Sequence, residues 1–284
     1  MKNRLKLAVV AESTGLTLRQ AIAKASEWGC QGIQFDAYGD LAPDKLSETG
    51  RREFRNLLRS YNLELSALHV PLRRGLDVRD DLQPRLDYIR KVMGLSFDLQ
   101  SKIVVLPCPA LPAKPEAVDD TADAGNRRES EEELRGNTLR ESLDLLSQHG
   151  DRIGCTVSLE AGIDSGSALK TYLAGFDRGT LMVCYDPANF MLNGYDPLTN
   201  LAALSGLVNV THARDARKNR VSGGGEELPV GAGEIEWMAL IATLESIGFS
   251  GYLTVQRTGG LTRMQDVANG VQFLRRFVGP TENP

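Results

Sequence analysis

The stretch Val208-Asn-Val-Thr-His-Ala-Arg-Asp215, VNVTHARD, decides how this chain is read. It opens as an apolar, β-branched run, the composition of a strand, and ends on one of only three histidines in 284 residues. A strand that delivers a rare imidazole to its end, with a charged loop straight after, fits a barrel whose site forms where strands finish. Runs of the same kind recur on both sides: residues 5–10, 32–36, 63–70, 102–107, 155–160, 181–186, 207–212 and 252–256. Between them lie segments with helical spacing of apolar residues, such as 16–29, 51–62, 85–100 and 236–248, several of them closing on Gly or Asn. Strand and helix alternating eight times predicts a single (β/α)8 TIM barrel spanning 1–284. The rival doubly wound sheet, in its nucleotide-binding form, would carry GxGxxG after the first strand, and VVAESTGL lacks it.

Composition narrows the function classes. A formal charge of −4 with no basic patch argues against nucleic acid. No segment reaches the roughly 18 apolar residues of a membrane span, no leader is recognisable, and the four cysteines show no CxxC spacing; a cytoplasmic protein is expected. Residues 112–134 break the rhythm with charge, Pro and Ala, and are expected to form a solvated loop or a lid over the mouth.

Side chains alternate along a barrel strand, so parity can be followed to each strand end. Val208 and Val210 share a face with His212, Thr156 and Ser158 with Glu160, Met182 and Cys184 with Asp186, and Tyr252 and Thr254 with Gln256. Four successive strands therefore bring two carboxylates, an imidazole and an amide oxygen to one rim, a donor set suited to Mg²⁺, Mn²⁺ or Zn²⁺. Each residue alone has a plainer reading: a strand-end His can be a hydrogen-bonded core residue, Asp186 before Pro-Ala-Asn can start a turn, and Glu160 can be a solvated loop carboxylate.

LHVPL at the third strand, VSLEAG at the fifth, VCYDPANF at the sixth, THARDA at the seventh and LPVGAGEIEW before the last helix together resemble the sugar phosphate isomerase/epimerase family of xylose isomerase-like TIM barrels. The Gly-x-Gly-x-ϕ-x-Trp pattern in the last, with ϕ apolar, has no generic structural explanation in the sequence. The resemblance implies one divalent metal ion held by Glu160, Asp186, His212 and, at a position the family fills with Glu, Gln256. Asn189 stands where ketose 3-epimerases carry His, and Gln34 where many members carry Glu. It implies enolisation chemistry, with Glu160 as base and His69 polarising or orienting the substrate. Arg214, Arg73, Arg74 and Lys218, in rim loops, and Asn189 are candidates to bind the substrate, whereas His149 falls at the opposite rim and is read as structural.

The function this predicts is a metal-dependent isomerase or epimerase of a sugar or sugar derivative. The alternatives are a metal-dependent dehydratase or other lyase of a cyclic polyol such as an inosose, and a non-catalytic sugar-binding barrel. With Gln at 256, Glu160 is the only strand-borne carboxylate placed as a base, so single-base chemistry is expected. Partners are a small molecule and, as often in the family, a second copy in a homodimer; neither nucleic acid nor membrane is expected.

Overall fold

The computed structural model describes residues 5–112, 130–177, 181–219 and 224–278. Eight parallel strands, β1 (Lys6–Val10), β2 (Gly32–Asp36), β3 (Glu64–His69), β4 (Ile103–Pro107), β5 (Thr156–Glu160), β6 (Leu181–Tyr185), β7 (Val208–Ala213) and β10 (Tyr252–Val255), close into a barrel in which β1 pairs with β10. All eight expected runs are strands, with ends within two residues of the expectation. Helices α1 (Leu18–Glu27), α2 (Glu48–Ser60), α3 (Leu82–Asp98), α4 (Glu131–Ile153), α5 (Gly166–Leu173), α6 (Pro187–Leu192), α7 (Pro197–Ala203), α8 (Trp237–Ser246) and α9 (Arg263–Leu274) lie on the connections.

The parity read from sequence appears as two apolar clusters. Outward side chains such as Val157, Leu159, Val183, Tyr185, Leu253 and Val255 join the main core between barrel and helices. A small inner cluster holds Ala67, Val105, Cys184 and Val210, with Ile103 against it. Small inner residues leave room at the axis, which is why polar side chains of the same parity, Gln34 and His212, stay buried there.

Two features depart from the expectation. Of the charged segment 112–134, residues 113–129 lie outside the described residues, but 130–134 are no loop. Ser130 caps α4, its hydroxyl accepting from Glu133 N at 3.1 Å while Glu133 Oε2 accepts from Ser130 N at 2.9 Å. This reciprocal pair, with three acidic residues in the first turn, satisfies the helix start and suits its dipole. The second is an antiparallel hairpin after β7, β8 (Asp215–Lys218) with β9 (Gly225–Leu228), outside the barrel and polar in sequence. No helix among the described residues is long and apolar enough to cross a membrane.

Candidate active site at the C-terminal mouth

Glu160 closes β5, and two imidazoles face its Oε1: His212 Nδ1 at 3.6 Å from β7 and His69 Nε2 at 3.9 Å from β3. Each gap exceeds a hydrogen bond. Each ring is held from behind. The side-chain amide of Gln34 on β2 lies 3.0–3.1 Å from His212 Nε2; with its oxygen accepting there, the Nδ1 lone pair turns to Glu160. His69 Nδ1 lies 2.7 Å from Asp36 Oδ1 at the end of β2, while its Nε2 is buried without a hydrogen-bond partner.

Electrostatics separate the two rings. Burial pushes His212 down to about 3, helped by the charges of His69 and Arg214, so it stays neutral. Burial also pulls His69 down, but the hydrogen bond to Asp36 and the charges of Glu160, Asp36 and Glu12 outweigh it and hold the ring above its ordinary value. Loss of hydration raises the Glu160 carboxyl, with Asp186 adding to the rise and His69 and Arg214 opposing it.

Asp186 follows β6 and caps α6. Its Oδ1 accepts from Asn189 N at 3.0 Å and its Oδ2 from Arg214 Nη1 at 2.7 Å, so the turn-starting reading of this residue holds. Arg214 continues outward to Glu227 Oε1 on β9 at 3.2 Å; Glu227 Oε2 meets Arg257 Nη1 at 3.2 Å; and Arg257 Nε meets Asp266 at 3.1 Å. Thr258 and Gly259 backbone N–H groups, 3.0 and 3.2 Å away, also donate to Glu227, as does the Thr258 hydroxyl. The hairpin is thus tied to the end of β10 by a ladder of alternating charge.

Several expectations shift on this geometry. Arg214, expected to bind substrate, is engaged by two carboxylates and works as a clamp on Asp186. The Asn189 amide is also committed, donating to Ala161 O at 2.8 Å and accepting from Asn193 Nδ2 at 3.3 Å. Arg73 is exposed and lines a groove beside β3 with Tyr38, Leu72 and Tyr88. His149 sits on α4, lowered by burial first and then by Arg152 and Arg90. The side-chain amide of Gln256 makes no hydrogen bond among the described residues.

The LPVGAGEIEW stretch has a structural reason after all. Asp215, 1% exposed, sits at its centre. Its Oδ1 accepts from Ala216 N at 2.9 Å and Ile235 N at 3.2 Å, and its Oδ2 from Gly231 N at 2.8 Å and Trp237 Nε1 at 2.9 Å. A Cβ at Gly233 would run into Oδ1, which is why that position has none.

Glu12 and Asp36 are mouth residues the sequence reading missed. Glu12 Oε1 accepts from Asp36 N at 2.8 Å. Much of Glu12 is exposed, yet its carboxyl tip is turned into this cluster; loss of hydration there, then the Asp36 charge, push it up to about 7. Asp36 could have been found: it shares the parity of Gln34 and ends β2. Glu12 lies past the end of β1 in a short 3-10 turn, Ala11–Thr14, where parity no longer carries.

The donors can be tested for fit to a divalent cation. Two ligands each about 2.1 Å from one ion, at 90–109° to each other, stand about 3.0–3.4 Å apart. Glu160 Oε1 and His212 Nδ1, at 3.6 Å, come near that spacing, the ring neutral and its second nitrogen anchored as a ligand requires. Asp186 is held at both oxygens, each of which keeps a lone pair, and the Gln256 amide is uncommitted. Among the described residues no group of three or more His, Cys, Asp or Glu side chains stands at ligating spacing; Asp186 is drawn to Arg214 at 2.7 Å. Chemically the set suits one hard or borderline cation.

Comparison with known proteins agrees with the architecture. A xylose isomerase domain protein from Planctomyces limnophilus superposes with a TM-score of 0.79 at 19% identity, over 96% of this chain and 98% of that one. A 3-keto-D-glucoside 4-epimerase from E. coli gives 0.70 at 15%, over 97% and 100%. A xylose isomerase-like TIM barrel protein from Mycobacterium smegmatis, in complex with magnesium, gives 0.69 at 16%, over 92% and 87%. No curated protein matches the sequence. The family model for the xylose isomerase-like TIM barrel matches residues 22–277, and the chain belongs to that family.

Proposed function

We propose that the chain is an isomerase or epimerase of a sugar or sugar derivative, working by removal and return of a proton on a carbon beside a carbonyl. The observation that supports this most is the line Asp36–His69–Glu160. One imidazole nitrogen is anchored to a carboxylate at 2.7 Å, and the other, without a partner, faces a second carboxylate across 3.9 Å. That gap is too wide for a hydrogen bond between them and suits a substrate group held between two proton-transfer groups. Glu160 takes the proton from carbon. Asp36 accepts from Nδ1–H, fixing the tautomer and aiming Nε2, so His69 can exchange a proton with a substrate oxygen or with the opposite face of the carbon. Two acid–base groups replace the single base expected from Gln256, and epimerisation becomes as accessible as isomerisation.

Glu160, Asp186, His212 and Gln256 would hold one divalent cation, which when bound polarises a carbonyl and its neighbouring hydroxyl. Arg214 and Asn189 keep Asp186 oriented, and Gln34 does so for His212. Sugar epimerases among the structural neighbours support the substrate class.

The test is turnover by the full chain, supplied in turn with Mn²⁺, Mg²⁺ and Zn²⁺, on a panel of ketoses, aldoses and inososes, with products identified by NMR. Interconversion of at least one pair is expected, falling about 10²-fold or more in His69→Asn, as loss of an acid–base group does. Loss of water from an inosose without isomerisation would move the assignment to a lyase. No turnover on any substrate would leave a binding barrel and defeat the proposal.

A further inference from the structure

At the end of the barrel away from Glu160, the starts of β3, β7 and β10 and the last turns of α2 enclose a cavity of about 460 Å³. Residues on its wall carry three buried polar atoms without a hydrogen-bond partner: Ser66 Oγ, Thr254 Oγ1 and Arg55 Nε. Ser66 is 6% exposed and Thr254 0%. Buried polar groups are almost always satisfied, so three orphans around one cavity point to an occupant that meets them.

Charge decides its class. Arg55 and Arg59 stand one turn apart on α2 and face the same cavity. Arg59 gives Nη2 to Gln100 Oε1 at 3.0 Å, whereas Arg55 has no hydrogen-bond or ion-pair partner among the described residues. Glu64, the acid on this wall, is already met by Lys6 at 3.1 Å and by the Tyr252 hydroxyl. Water or a neutral polyol could satisfy the hydroxyls, but an anion would satisfy them and also pair with the buried Arg55 Nε–H, which no side chain among the described residues meets.

We propose that this floor cavity binds a small oxyanion-bearing molecule, a phosphate monoester or a carboxylate, with Arg55 as its charge partner and Ser66 and Thr254 as hydroxyl donors. A guanidinium offers a planar fork of donors matched to such a group. The site is separate from the mouth. It shares β3 and β7 with His69 and His212, and β10 with Gln256 just past that strand's end, but lies two or more residues earlier along each.

The experiment titrates inorganic phosphate, and separately acetate, into the full chain at fixed ionic strength, followed by calorimetry. Saturable binding of one equivalent is expected, at least tenfold weaker in Arg55→Met, partly restored in Arg55→Lys, weakened in Thr254→Val and unchanged in Glu160→Gln. Circular dichroism checks that each variant is folded. Phosphate binding without acetate binding would assign the phosphate-ester class, and acetate binding the carboxylate class. Absence of saturable binding by either anion overturns the proposal. So does equal affinity in wild type and Arg55→Met, or loss in Glu160→Gln alone, which would place the anion at the mouth.

Discussion

Replacing Asp215 by Asn tests the claim that the LPVGAGEIEW stretch is a cradle built around one buried carboxylate. The change is nearly isosteric, so it alters hydrogen bonding without opening a void. Asn can still offer an oxygen to Ala216 N and Ile235 N, but its NH₂ then faces Gly231 N–H and Trp237 Nε1–H, donor against donor. Two buried donors left without an acceptor cost about 1–3 kcal/mol each, and the two remaining bonds lose the strengthening of a charged acceptor. A loss of about 4 kcal/mol is expected, a large share of the roughly 5–15 kcal/mol that folded domains hold. At a urea slope of about 3 kcal/mol per molar, the unfolding midpoint falls by about 1.3 M. Tryptophan fluorescence and far-ultraviolet circular dichroism should be followed together, since Trp237 reports from inside the cradle and a barrel of this size can unfold in stages. A midpoint shift below about 0.3 M would show that the carboxylate does not organise the loop.

Three further outcomes follow from the mouth. Glu227→Ala takes one of two carboxylates from each of Arg214 and Arg257, which keep Asp186 and Asp266, and should destabilise the chain by about 1.5–3 kcal/mol in the same urea assay; an effect under about 0.5 kcal/mol would show that the ladder is ornamental. Glu12 has a folded-state pKa of about 7 against an ordinary 4.5, so its charged form opposes folding above pH 7 and the penalty fades as pH falls from 7 to 4.5. Glu12→Gln should therefore be more stable than wild type at pH 8, with the difference shrinking to nothing near pH 4.5; a difference independent of pH contradicts the cluster. Gln256→Glu adds a charged donor and should bind Mn²⁺ about tenfold more tightly by calorimetry, about 1.4 kcal/mol; unchanged affinity would show that position 256 does not touch the ion.

The barrel was legible because each strand carries its own signal. Alternation places Leu159, Val157 and Leu253 outward and Ser158, Val210 and Thr254 inward, and strand ends then mark the rim. Parity also brought Glu160 and His212 together. What it could not supply was the partner of each group. Arg214 reads as a free loop cation, and only the hairpin, whose strands DARK and GEEL carry almost no apolar signal, puts Glu227 beside it. The pairing of Asp36 with His69 crosses between adjacent strands, and its register is set by an irregularity between Ile33 and Gln34 that no pattern in the residues announces. Asp215 misled for the opposite reason: the glycines and tryptophan that serve it lie 16 to 22 residues away, so their purpose is invisible until the chain folds back.

The most direct measurement of the central claim is proton exchange at substrate carbon. The full chain with Mn²⁺, in D₂O, is incubated with a ketose panel, and ¹H NMR follows loss of the proton on the carbon beside the carbonyl. Wild type should wash deuterium into that position of at least one sugar. Glu160→Gln should abolish exchange, and Asp36→Asn should slow it and shift its pH dependence by releasing His69 from its anchor. Exchange that persists undiminished in Glu160→Gln, or absence of exchange in wild type across the panel, would contradict an enolising site built on Glu160 and His69.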